Sequence, residues 1–202
     1  MKLYFSPTSP FVRKVMLVLY LRNLVGQVQL ITAAGTPLEP NKLVVGANPV
    51  GKIPALETDS GAVLADSKVI TRYLDKLSGG GLYPSDDSEF AVLTRESMAD
   101  AIMEAGILAV YETRLRPEAH RLSNMIDAYT SKITRMVKAF EAEADAITKE
   151  PVTIDQIALA CAFGYLDFRF PGLPWRGDAP KVAAWFDEYR ETPAMLHTAP
   201  KG

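Results

Sequence analysis

The run Ser78-Gly79-Gly80-Gly81 splits this chain into two stretches of different pattern, and that split limits its possible folds more than any other feature. Glycine loses the most backbone freedom on ordering, so three in a row continue neither a helix nor a strand. Before the run, short strand-like apolar segments alternate with helical ones. After it, apolar residues recur at helical spacing. The pattern predicts an α/β N-terminal domain plus an all-α C-terminal domain, with residues 1–78 in the first, a linker over 79–88, and residues 89–202 in the second.

In the first part, Leu3-Tyr4-Phe5 reads as a strand. Residues 10–22 read as a helix with Phe11, Val15, Val18 and Leu19 on one side, and Gln27 to Ile31 as an alternating, half-buried strand. Residues 33–50, rich in Gly, Pro and Asn, read as an irregular connection with room for one short helix. Ile53 to Glu57 and Ala62-Val63-Leu64 are expected to pair across the turn Asp59-Ser60-Gly61. Asp66 opens a helix that carries Val69, Ile70, Tyr73, Leu74 and Leu77 at helical spacing. In the second part, Ile126, Tyr129, Ile133, Met136, Val137 and Phe140 form an apolar stripe. Thr153-Ile154-Asp155-Gln156 has the form of a capping box. The residues after it, Ile157 to Leu166, are apolar nearly all round, which predicts the central buried helix of this domain. Gly172 to Pro180 reads as a loop and Val182 to Tyr189 as the last well-formed helix.

Composition excludes several function classes. The formal charge is −2 and no basic stripe stands out, which argues against nucleic acid as a main partner. No apolar run reaches membrane-spanning length, and the N-terminus is not organised as a signal peptide. Cys161 is the one cysteine, so neither an internal disulfide nor Cys-x-x-Cys chemistry is available, and a cytoplasmic location is expected. His120 and His197 stand far apart with no ligand cluster around them, so no metal is expected.

The segment Ser6-Pro7-Thr8-Ser9-Pro10-Phe11-Val12-Arg13-Lys14-Val15 lies where the first strand hands over to the first helix. Ser9 fits the N-cap and Pro10 the first helical turn. Serines there often serve only as caps. The free N–H groups and the positive end of the helix dipole also make a seat for an anion, and a hydroxyl on that seat can donate to a thiolate or carboxylate.

Three local features, in this order and spacing, resemble the cytosolic glutathione S-transferases, in particular bacterial members with a Ser-Pro-Phe-Val-Arg stretch. They are Ser9 to Val15, then Asn48-Pro49-Val50-Gly51-Lys52-Ile53-Pro54-Ala55-Leu56, then Asp66-Ser67. The capping box at Thr153 is a fourth. The resemblance covers essentially the whole chain, and it makes the first domain thioredoxin-like. It implies glutathione as co-substrate, a cis Pro54, and an Ile53 N–H and C=O that pair with the cysteinyl backbone of glutathione. Asp66 and Ser67 would hold the γ-glutamyl end, although the family more often has Glu or Gln where Asp66 stands. Lys52 would reach the glycyl carboxylate, with Lys42 competing for that role.

For the catalytic position the resemblance points to Ser9, with Thr8 next and Tyr4 less suited because it lies inside a strand. One charge-assisted hydrogen bond contributes roughly 1.5–3 kcal/mol. At ~1.36 kcal/mol per unit, that lowers a thiol pKa by about one to two units. Serine cannot form a mixed disulfide with glutathione, so attack of bound thiolate on a small hydrophobic electrophile is the expected chemistry. That second substrate is expected in a cleft walled by the Thr8–Phe11 loop and by Met103, Ile107 and Tyr111. Arg13 projects near Ser9 but is left out of the catalytic set. The resemblance also implies a homodimer and a role in detoxification. The competing readings are a glutathione-dependent disulfide or peroxide reductase, and a non-catalytic ligand carrier or protein-interaction member of the same fold.

Overall fold

The computed structural model describes residues 1–148 and 151–200. The chain divides into two compact units, one made of Met1–Tyr83 with the segment from Pro193 onward, the other of Pro84–Thr192.

The first unit runs β1 (Lys2–Phe5), α1 (Pro10–Leu21), β2 (Gln29–Thr32), α2 (Lys42–Ala47), β3 (Ala55–Glu57), β4 (Val63–Leu64) and α3 (Ser67–Leu77). The sheet order is β2-β1-β3-β4, with β1 and β2 parallel and the other neighbours antiparallel. A parallel pair needs a crossover, and α1 supplies it. Leu3, Leu56, Ile70 and Leu74 are fully buried, and α1 packs on α3. This is the thioredoxin-like α/β unit expected from the sequence.

Two strand limits differ from the sequence reading. Val25–Gln27 forms a 3-10 turn, so β2 begins at Gln29 rather than Gln27. β3 begins at Ala55, and Ile53 and Pro54 stay outside the ladder, as a residue without an N–H donor favours. α1 is also buried more completely than a single stripe predicts: Val12, Met16 and Leu17 are inside together with Val15, Val18 and Leu19, while Phe11 is half-buried.

The glycine run is a built turn. Gly79, Gly80 and Gly81 have φ of 100°, 80° and 113°, a region that costs an L side chain roughly 1–2 kcal/mol per residue. The turn closes on Asp75. Its carboxylate accepts from Arg22 Nη2 at 2.6 Å and from the Leu82 N–H at 3.2 Å, and its carbonyl accepts from the Gly80 N–H at 2.8 Å.

The second unit holds α4 (Glu89–Arg114), α5 (Ser123–Ala142), α6 (Ala144–Ile147), α7 (Ile154–Arg169), α8 (Trp175–Asp178) and α9 (Pro180–Tyr189). α7 is buried from Ile154 to Leu166 and packs along α4. Its capping box forms, with Gln156 Oε1 accepting from the Thr153 N–H at 2.7 Å. Asp155, buried in the first turn, pairs with Arg95 Nε at 2.6 Å. The four-residue α8 falls in the segment read as a loop and is too short to show a period. It is anchored by Trp175, which stacks on Phe163 at 4.1 Å and donates to Asp167 at 3.0 Å.

A last helix, α10 (Pro193–His197), follows the helix read as the last well-formed one. It belongs with the first unit, where Arg13 Nη2 donates to the Met195 carbonyl at 3.0 Å and the rings of Tyr20 and His197 lie 5.4 Å apart.

Candidate functional site

Strand register brings three separate segments to one end of the sheet. Tyr4 of β1 pairs with Ala55 of β3, so the start of β3 lies beside the end of β1. Leu56 pairs with Leu64, so the end of β4 lies there too. The Ser6–Ser9 turn, the Ile53-Pro54 step and the Asp66-Ser67 helix start therefore converge.

At the first segment, Ser9 is the N-cap of α1 in extended conformation. Its carbonyl accepts from the Arg13 N–H at 3.0 Å, and its Oγ accepts from the Val12 N–H at 3.3 Å. That leaves the hydroxyl proton available, because an oxygen that accepts through one lone pair still donates. Thr8 Oγ1 lies 3.3 Å from Ser6 Oγ, and either oxygen can be the donor, so Thr8 stays the second candidate. Tyr4 is half-buried in β1. Arg13 is turned to α10 rather than to Ser9, with Nε donating to Thr198 Oγ1 at 3.4 Å.

At the second segment, the Ile53–Pro54 bond is cis, as the motif predicts. Neither the N–H nor the C=O of Ile53 has a hydrogen-bond partner among the described residues. Asn48 holds this loop in place. Its Oδ1 accepts from the Val50 N–H at 3.1 Å, its Nδ2 donates to the Lys52 carbonyl at 3.0 Å, and its own carbonyl accepts from the Gly51 N–H at 2.8 Å. Gly51 has φ of 69°, a left-handed conformation that glycine adopts without steric cost. The sequence motif contained Asn48 without revealing this role. Lys52 and Lys42 are both exposed, and neither pairs with a carboxylate among the described residues, so geometry does not separate them.

At the third segment, Asp66 caps α3. Its Oδ1 accepts from the Lys68 N–H at 2.8 Å and from the Ser67 hydroxyl at 3.4 Å. Oδ2 has no partner among the described residues, and the side chain is exposed. Ser67 is buried at the first helical position, where backbone N–H groups lack intrahelical acceptors. The Ala65–Asp66 bond is also cis, which nothing in the sequence signalled. Among the described residues no group of three His, Cys, Asp or Glu side chains is placed to hold a metal ion.

A four-stranded thioredoxin-like domain with a cis proline beside the capped starts of two helices, followed by an all-helical domain, defines a class of two-domain thioredoxin-fold proteins. Residues 8–77 match the model of the glutathione S-transferase N-terminal domain, and residues 124–188 that of the C-terminal domain. A relative in Escherichia coli K12, the uncharacterized GST-like protein YibF, is 32% identical over 99% of this chain and 98% of its own. A glutathione transferase family member from Pseudomonas fluorescens Pf-5, crystallised with bound glutathione, is 41% identical with a TM-score of 0.96, covering 100% of this chain and 99% of that one. The same organism's family member with bound S-(propanoic acid)-glutathione matches at 41% identity and a TM-score of 0.92, with both chains fully covered. The chain belongs to the glutathione S-transferase family.

Proposed function

We propose that this protein is a glutathione transferase that binds glutathione, activates it as thiolate and directs it at small hydrophobic electrophiles. The convergence of three ligand-ready segments at one sheet end carries this reading. The unpaired Ile53 N–H and C=O are the edge groups an extended cysteinyl backbone would pair with. The start of α3, with Ser67 at N1 and the open Oδ2 of Asp66, suits the carboxylate and ammonium of a γ-glutamyl group. Lys52, or Lys42 in its place, would meet the glycyl carboxylate as a flexible point charge.

Ser9 is the proposed catalytic residue. Its Oγ–H would donate to the glutathione sulfur while its lone pair caps α1. The thiolate then forms the S–C bond, and the displaced electron pair leaves with the leaving group or moves along an activated double bond. Relatives crystallised with glutathione and with an S-substituted glutathione support both the co-substrate and the conjugation chemistry. A homodimer working in detoxification in the cytoplasm is part of the same reading. No helix among the described residues is long and apolar enough to cross a membrane.

The test is glutathione binding by calorimetry, read with the ultraviolet thiolate band, on wild type and Ser9→Ala. Binding with thiolate near neutral pH in wild type, and binding without thiolate in the variant, is the expected result. Wild-type binding without thiolate would make the protein a carrier. No binding at all would remove the transferase reading.

A further inference from the structure

Toward the C-terminal ends of α4 and α7, the helical unit gathers Tyr111, Arg114, Tyr165 and Arg169 within electrostatic range of one another. Not every arginine of this unit has a carboxylate partner: Arg121 bonds to a carbonyl and Arg135 to a hydroxyl. Arg95, Arg116, Arg176 and Arg190 each pair with a carboxylate. Arg114 and Arg169 pair with none among the described residues. Arg169 Nε is buried without a hydrogen-bond partner, and its guanidinium lies 3.9 Å over the Phe168 ring.

An arginine does not shed its proton to relieve such a position. Burial first, and then the neighbouring Arg114 charge, work against the charged form of Arg169. Burial pushes the Tyr165 and Tyr111 phenols up, so at neutral pH both are protonated donors rather than counter-charges. The Tyr165 oxygen accepts from Arg169, so the cluster presents two guanidiniums and two phenol protons with no carboxylate among them.

Aromatic rings pack closely beside it. The Tyr165 ring lies against Gly106 of α4, where an added Cβ would stand 3.0 Å from Cε1 and 3.3 Å from the Phe170 ring. Phe170 meets Tyr165 edge-on at 6.5 Å. Donors of this kind favour a carboxylate, which guanidinium groups grip in two-pronged fashion, and the rings favour an apolar body behind it.

We propose that Arg114 and Arg169, with the Tyr111 and Tyr165 hydroxyls, bind the carboxylate of an apolar carboxylic acid. Identifying that acid as the electrophile rests on the transferase reading; the binding itself does not.

The test is calorimetric titration of the whole protein with 3-phenylpropanoate and with its neutral amide, 3-phenylpropanamide. The acid should bind at least tenfold tighter than the amide, and added salt should weaken it. Arg169→Gln and Arg114→Gln should each lose at least tenfold in affinity for the acid. Arg114 is exposed, so its variant carries the test if Arg169→Gln fails to fold. Equal binding of acid and amide, no binding of the acid at millimolar concentration, or variants that bind like wild type would overturn the proposal. Glutathione is titrated in parallel: if it fails to bind while the acid binds, the transferase reading falls and this site stands.

Discussion

A hydroxyl oxygen has one proton and two lone pairs, and at Ser9 one lone pair is committed to the Val12 N–H. The free proton makes a specific prediction. Ser9→Ala should still bind glutathione but lose the thiolate band, with kcat/KM for a nitroaryl halide falling about ten- to a hundredfold, the worth of one charge-assisted hydrogen bond. It should also cost about 1 kcal/mol of stability through the lost cap. Ser9→Thr keeps the hydroxyl and should restore most of the rate, whereas Thr8→Val should leave it unchanged. A reversed result, with Thr8→Val inactive and Ser9→Ala active, would move the donor to Thr8. The residues proposed to touch glutathione came from motifs that resemble the family's: a hydroxyl before proline, a residue ahead of a proline expected to be cis, an acid and a serine at a helix start. Asn48 was not legible in that way. Its work is done through backbone hydrogen bonds four residues or fewer away, and an Asn-Pro pair in a loop looks the same with or without them.

Elements were legible where they were long and periodic, and their ends were not. α7 followed from an unbroken apolar run behind a capping box, but β3 lost two residues at its start because Pro54 lacks a ladder donor. The glycine run was recognised as a break between elements, while its positive φ values and its closure on Asp75 needed the structure. Gly80→Ala should therefore destabilise the protein by about 1–2 kcal/mol, the cost of a left-handed L residue. Thermal unfolding measures this, and a variant as stable as wild type would show the turn to be tolerant. Glu112, near the end of α4, ties down the start of α5. The Leu122 N–H at 2.8 Å first, and then Arg116, hold its carboxyl below the ordinary value of 4.5. A carboxyl depressed in the folded state adds stability above its unfolded pKa and loses it as pH falls through the folded value. Glu112→Gln should thus melt below wild type at pH 7, and the gap should close as pH drops below about 4.5. A gap that stays constant between pH 7 and pH 3 would show that the charge contributes nothing.

At the scale of the whole molecule, chain order and spatial grouping part company. The glycine run separates the two patterns, yet the segment from Pro193 onward returns to the first unit, held there by Arg13 and by Tyr20 against His197. Five helical residues carry too little periodicity to reveal such a return. The first unit also exposes more apolar surface around α2 than a free surface favours. Leu38 is 71% exposed, Leu43 59% and Val50 67%, with Val45 at 44%, all within one short stretch of chain. Exposed apolar residues this close in sequence suit an interaction surface, and the proposed homodimer gives them a partner. Light scattering should then report twice the 22.1 kDa of the chain. Val50→Asp should shift the protein to monomer at micromolar concentration. Burying one valine contributes about 1.5–3 kcal/mol, and a two-fold dimer loses it twice. Such a loss weakens association by roughly a hundredfold or more at ~1.4 kcal/mol per tenfold. Glutathione binding by the monomeric variant then answers a second question. Ser9, Ile53, Asp66 and Ser67 all lie in one first unit, so unchanged affinity is expected, and a loss of affinity on dissociation would mean that the second copy completes the site.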